Sequence, residues 1–104
     1  MRNPHRTTLA LAVAIALLAG EAAAADDDLG AFLAGTCASC HQANVRNGPI
    51  PSIVGLDKAR FISLIRAYRS GERSDPIMQA VAGSLSEEET AALARFLATR
   101  GDRQ

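Results

Sequence analysis

The sequence predicts an all-α domain of about 79 residues (26–104) behind an export leader (1–25). Three observations point there. Two segments carry apolar residues at the spacing of a helix that buries one face, glycine and proline punctuate the chain around them, and no segment alternates like a half-buried strand.

In the leader, Arg2 and Arg6 precede a nearly unbroken apolar run from Leu9 to Leu18, followed by Gly20 and the small residues Ala22 to Ala25. This is the layout of a secretory signal peptide. Spanning a bilayer takes roughly 20 apolar residues, and Gly20 and Glu21 interrupt the run, so the chain is expected in the periplasm with no membrane insertion after cleavage. Cleavage after Ala25 satisfies the small-residue rule through Ala23 and Ala25, and cleavage after Ala24 satisfies it through Ala22 and Ala24.

Asp26, Asp27 and Asp28 stand before Leu29, Phe32 and Leu33, which predicts a short helix with an acidic start leading into Cys37. From 42 to 56, Asn44, Asn47, Gly48, Pro49, Pro51 and Gly55 exclude a continuous helix and predict a long shaped loop, uncommon in so small a domain unless it wraps something. Asp57 then precedes Phe61, Ile62, Leu64, Ile65 and Tyr68, the stripe of a helix that Gly71 ends. Asp75 and Pro76 predict a turn ahead of Ile77 and Met78. Ser86, three residues before Glu89, is a capping box opening a last helix through Leu93, Phe96 and Leu97 that Gly101 closes.

Of 11 basic and 11 acidic residues, Arg2, Arg6 and Glu21 lie in the leader, so the remaining domain is near neutral. It lacks the clustered lysines and arginines that a phosphate backbone requires, which argues against a nucleic-acid partner. Arg66, Arg69 and Arg73 read as a solvated helix face and its exit loop rather than a basic edge. A core this small supplies little stability by itself. With only 2 cysteines, the supplement is one disulfide, a metal, a large cofactor or a partner.

Cys37-Ala38-Ser39-Cys40-His41 decides among these, because C-x-x-C-H is the attachment sequence of c-type haem. Two thiols one helical turn apart can add to the two vinyl groups of one haem, while the adjacent imidazole points at the iron. A thioredoxin-like dithiol would sit near a βαβ pattern, absent here. Structural zinc needs four ligands, more than this turn offers without a second cluster. A plain disulfide leaves His41 and the small core unexplained.

Met1 and His5 lie in the leader, so the remaining chain has one histidine, His41, and one methionine, Met78. Bis-histidine ligation within one chain is thereby excluded. A His/Met pair fills both axial positions, raises the reduction potential and suits electron transfer. The alternative is that Met78 only fills the core beside Ile77. Pro49 or Pro51 can present a rigid carbonyl to the second ring N–H of His41, or both are turn residues.

Cys37 to His41, the segment Gly48-Pro49-Ile50-Pro51-Ser52-Ile53-Val54-Gly55, Arg69-Ser70-Gly71-Glu72-Arg73, Ile77-Met78 and Leu85-Ser86-Glu87-Glu88-Glu89 together resemble the small class I cytochromes c. Within that class the chain is similar to the c-553 and c4-like group, which includes the cytochrome subunit of flavocytochrome c sulfide dehydrogenase. The resemblance implies a compact fold of three to five helices around one covalent haem c, with the first and last helices crossing. It maps His41 and Met78 onto the axial positions and selects Pro51 as the carbonyl partner of His41. Ile53, Phe61, Leu64, Ile65, Tyr68 and Phe96 are apolar-stripe residues with no specific haem contact assigned.

The expected function is a periplasmic carrier of single electrons between redox proteins, an oxidase, a reductase or a flavoprotein dehydrogenase, and no enzyme by itself. Two alternatives keep the haem: a fixed subunit of a flavocytochrome-type sulfide dehydrogenase, with a larger and more apolar interface, or a five-coordinate sensor or peroxidase-like protein in which Met78 is core.

Overall fold

The computed structural model describes residues 4–42 and 48–101, with side chains from 10–42 and 48–100. Asn44 and Asn47 of the predicted loop, and the start and end of the chain, lie outside the described residues. Four helices follow in order: α1 Pro4–Cys37, α2 Lys58–Ser70, α3 Pro76–Ser84 and α4 Glu87–Gly101. The described residues contain no strand, and the all-α class holds.

α1 differs from expectation. It runs 34 residues without a break, so Asp26 to Asp28 lie inside a helix rather than capping one. The reason is the segment before the triplet, whose alanines and leucines are the strongest helix formers and carry the helix through it. Leu11, Val13, Ile15, Leu17 and Leu18 of that segment are exposed, and no described helix is long and apolar enough to cross a membrane. Asp26 meets Arg95 of α4 instead, at 2.6 Å. Phe32 points outward at 73% exposure, leaving Leu29 and Leu33 as the inward side of that turn.

α2 begins and ends on its predicted signals. Asp57 accepts from the Arg60 N–H, and Gly71, at φ 83°, takes the left-handed conformation that costs other residues a steric penalty and donates its N–H to Tyr68 O. The capping box of α4 is reciprocal: Ser86 N–H donates to Glu89 Oε1 and Glu89 N–H to Ser86 Oγ, both at 3.0 Å.

α3 is a helix where a turn was predicted. Asp75 caps it, accepting from the Met78 N–H at 2.8 Å, and Pro76 occupies the first helical position, where its missing N–H costs nothing.

α4 is the hub, with α1 on one side and α2 on another, while α3 lies alongside α2. The core joins Phe61 and Ile65 of α2, Ala82 of α3, and Leu93, Ala94 and Leu97 of α4. At the α1/α4 contact the helices touch through Gly30, where an added Cβ would stand 2.7 Å from Ala92 O and 2.8 Å from Phe96 Cβ. Gly30 thus lets the two backbones approach as only a residue without a side chain can. The connecting loop is pinned from its far end, Gly55 N–H donating to Leu97 O at 3.0 Å with Ile53 and Leu56 set against the core.

Arg69 departs from the solvated-face reading. Its side chain is 30% exposed and reaches across to α3 and α4, bonding Ala82 O, Leu85 O, Glu87 and Thr90. Arg66 pairs with Glu87 at 2.9 Å on the exposed surface, and Arg73 lies over the Tyr68 ring.

Candidate functional site

The helical hydrogen-bond pattern of α1 does not stop at Cys37 but winds one turn further. Ala38 N–H donates to Ala34 O at 2.9 Å, Cys40 N–H to Cys37 O at 3.2 Å and His41 N–H to Cys37 O at 2.9 Å, with Ser39 Oγ closing on Thr36 O. Cys37, Cys40 and His41 therefore share one wound turn, as the spacing predicts. Both cysteines are free thiols. Cys37 is half-buried against the core and burial pushes its thiol pKa up, a backbone hydrogen bond opposing and the neighbouring Cys40 adding to the rise. Cys40 is exposed.

His41 faces a cleft of about 450 Å³. Ala31, Ala34, Gly35 and Ala38 of α1 form one wall, small side chains on a single face. Ile53 and Val54 of the loop form another, and Phe96, Leu97 and Arg100 of α4 a third, with the Arg100 guanidinium 4.5 Å from the Phe96 ring centre. The walls are mostly apolar, with His41 and Arg100 as their polar members. Nδ1 of His41 stands 2.6 Å from Pro51 O. In that arrangement Nδ1–H donates to the carbonyl, and Nε2 is left as the ring nitrogen with a free lone pair for a metal.

Met78 is on the third residue of α3, half-buried and packed against the core. It is not among the residues that wall the His41 cleft. Ile53 and Phe96 do line the cleft, whereas Phe61 and Ile65 are buried among the helices. The sequence reading did not single out Ala31, Ala34, Ala38 or Arg100. The 31/34/38 spacing running straight into the motif was a signal for the first three, one helix face kept small.

A second hollow, along α2 between Ala59 and Glu72, has no thiol, imidazole or thioether in its lining. Among the described residues no group of three or more His, Cys, Asp or Glu converges as a metal cage would. The absence of strands there sets aside a thioredoxin-like dithiol.

The cytochrome c family model matches residues 28–101. The chain belongs to the cytochrome c family. It is 33% identical to cytochrome c-554(548) of Halomonas halodenitrificans (strain ATCC 12084 / NCIMB 8669) over 87 residues, covering 79% of this chain and 99% of that protein. It is 39% identical to the thiosulfate dehydrogenase electron acceptor of Stutzerimonas stutzeri (strain A1501) over 64 residues, covering 59% of this chain; the match takes in 30% of the length of that longer protein.

Membership in this family brings a covalently bound haem c. The residues present fit it. Two unpaired thiols close one turn, an imidazole with one nitrogen engaged offers the other, and an apolar cleft adjoins them. Such residues would supply a nucleophilic pair for vinyl addition, a nitrogen for the iron and an apolar wall for the macrocycle.

Proposed function

We propose that this cytochrome c is an exported one-electron carrier in which Cys37 and Cys40 attach the haem, and His41 and Met78 are the axial ligands. When bound, the haem supplies a reversible one-electron Fe(III)/Fe(II) change. The observation that carries the reading is the 2.6 Å approach of His41 Nδ1 to Pro51 O beside the C-x-x-C-H turn. Pro51 fixes the tautomer and ring orientation of His41. Ala31, Ala34, Ile53, Val54 and Phe96 keep water off the site, and a low-dielectric surround favours the less charged reduced state. Asp75 holds the first turn of α3, from which Met78 is to reach the iron. With both axial positions filled, no position is left for substrate, which is why the protein carries electrons and is not an enzyme by itself.

The leader, with Arg2, Arg6 and the run from Leu9 to Leu18, supports export to the periplasm, where haem attachment is expected. The partners are redox proteins. The relative that accepts electrons from thiosulfate dehydrogenase supports a dehydrogenase of reduced sulfur compounds as donor. Near-neutral charge gives little electrostatic steering and fits brief encounters through a small patch.

The test is the absorption spectrum of periplasmically matured, oxidised protein and of Met78→Ala. The expected result is a weak sulfur-to-iron charge-transfer band in the parent that Met78→Ala loses, together with a lower midpoint potential in the variant. A parent without the band, or with rapid carbon monoxide binding when reduced, overturns Met78 ligation.

A further inference from the structure

α3 is the least secured helix of the fold. It has nine residues, fewer than the roughly 12–15 at which even a favourable isolated helix becomes marginal. Among the described helices only α2 lies alongside it. Ala82 is its one fully buried residue, while Ile77 is 72% and Val81 37% exposed. What holds such a helix is its ends. Asp75 and Pro76 secure the first turn. At the other end the carbonyl of Ala82, which the Leu85 N–H reaches at 3.4 Å, also accepts from Arg69 Nε at 3.2 Å.

The same guanidinium ties down the connection to α4. Its Nη2 donates to Leu85 O at 2.8 Å and reaches Thr90 Oγ1 at 3.5 Å, and its Nη1 pairs with Glu87. Thr90 is buried at 1% exposure and is itself anchored to Ser86 O. One side chain from α2 thus bonds the end of α3, the link and the start of α4. A cation at the C-terminal end of α3 also complements the helix dipole there. Met78 is six residues from that end, on a helix too short to flex independently.

We propose that Arg69 is the positioning residue for the Met78 thioether: by holding the C-terminal end of α3 and its link to α4, it sets how often Met78 leaves the iron. This rests on the ligation proposed above. Without the guanidinium, Leu85 O loses its donor and Ala82 O keeps only the Leu85 N–H, α3 swings on its Asp75 end, and the open fraction of the protein rises.

Imidazole titration of the oxidised, haem-loaded protein reads that fraction, because imidazole must displace Met78 and its apparent affinity scales with the open population. Arg69→Gln removes the charge, and Arg69→Lys keeps the charge but not the fork. The expected result is about tenfold tighter imidazole binding by Arg69→Gln, the size of effect that loss of charged-group hydrogen bonds brings. Arg69→Lys falls between it and the parent and also serves if the glutamine variant does not fold. Hydrogen exchange is expected to rise in α3 before α4. Unchanged imidazole affinity, with only a lower denaturant midpoint, overturns the proposal and leaves Arg69 as a general stabiliser. A parent that lacks the sulfur-to-iron band overturns Met78 ligation itself, an outcome distinct from a parent with the band and an indifferent Arg69→Gln.

Discussion

The contact of α1 with α4 at Gly30 gives the sharpest test of the fold, because two effects of known sign oppose each other there. Alanine is favoured over glycine inside a helix by about 1 kcal/mol. Against this, the new Cβ would stand 2.7 Å from Ala92 O and 2.8 Å from Phe96 Cβ. Neither atom is the end of a flexible side chain, so the helices must separate. Overpacking costs about 1–3 kcal/mol, and a clash with backbone-fixed atoms belongs at the upper end, about 3 kcal/mol. The net is a loss of about 2 kcal/mol after the propensity gain. In a domain of this size each kcal/mol moves the melting temperature by about 4–8 °C, so Gly30→Ala is expected to melt about 8–16 °C below the parent. The assay is thermal unfolding of the haem-loaded protein followed by far-UV circular dichroism. Gly83→Ala is the control: a Cβ there meets nothing within 4 Å, so the variant gains up to about 1 kcal/mol from propensity alone. A Gly30→Ala variant that melts with the parent or above it would refute the close approach.

Two further outcomes follow from local contacts. Glu87 has a pKa held below its ordinary 4.5, first by its hydrogen bond to Arg66 and then by that to Arg69. Because the folded value is the lower one, the stabilisation is present above the unfolded pKa and is lost as pH falls through the folded one. Acid titration of the parent is therefore expected to show a loss of stability below about pH 4.5 that Glu87→Gln partly lacks, and identical acid limbs would show that the pair contributes nothing. Ser86→Ala removes one half of the capping box and is expected to cost about 1 kcal/mol in a denaturant melt; adding Glu89→Gln should then cost less than it does alone, since the two bonds form one unit.

What the sequence made legible was local. Asp57, Gly71 and the Ser86/Glu89 pair act on backbone groups within a few residues of themselves, so their positions suffice to place α2 and the start of α4. The Cys37 to His41 turn was legible for the same reason. α3 was not, because Pro76 was weighed as a turn residue although an aspartate before a proline is also a helix-start signal. The acidic triplet at 26–28 lies inside α1 because the alanine- and leucine-rich residues before it are helical too. Arg69 and Gly30 were invisible for a different reason. Their partners lie 13 to 21 residues away for Arg69 and across a helix crossing for Gly30, and no periodicity within one element encodes such contacts. The small wall residues Ala31, Ala34 and Ala38 offered only their spacing as a signal, because alanine carries too little apolar weight to mark a stripe.

These contacts divide the molecule unevenly. The side that holds His41 is secured from several directions: Gly30 against α4, Gly55 N–H on Leu97 O, and Pro51 O on the imidazole. Each has a backbone group on at least one side, which leaves less for side-chain motion to loosen. The α3 side has one fully buried alanine, a half-buried methionine, the Asp75 cap and the reach of an arginine. Local stability follows the density of such ties, and the lowest-energy opening of a protein starts where they are fewest. In this domain that is α3, so the element bearing Met78 should open well before the turn bearing His41. With Cys37, Cys40 and His41 holding the haem as proposed, it would stay bound through repeated excursions on the methionine side, because the thiols and the imidazole belong to the half that stays closed.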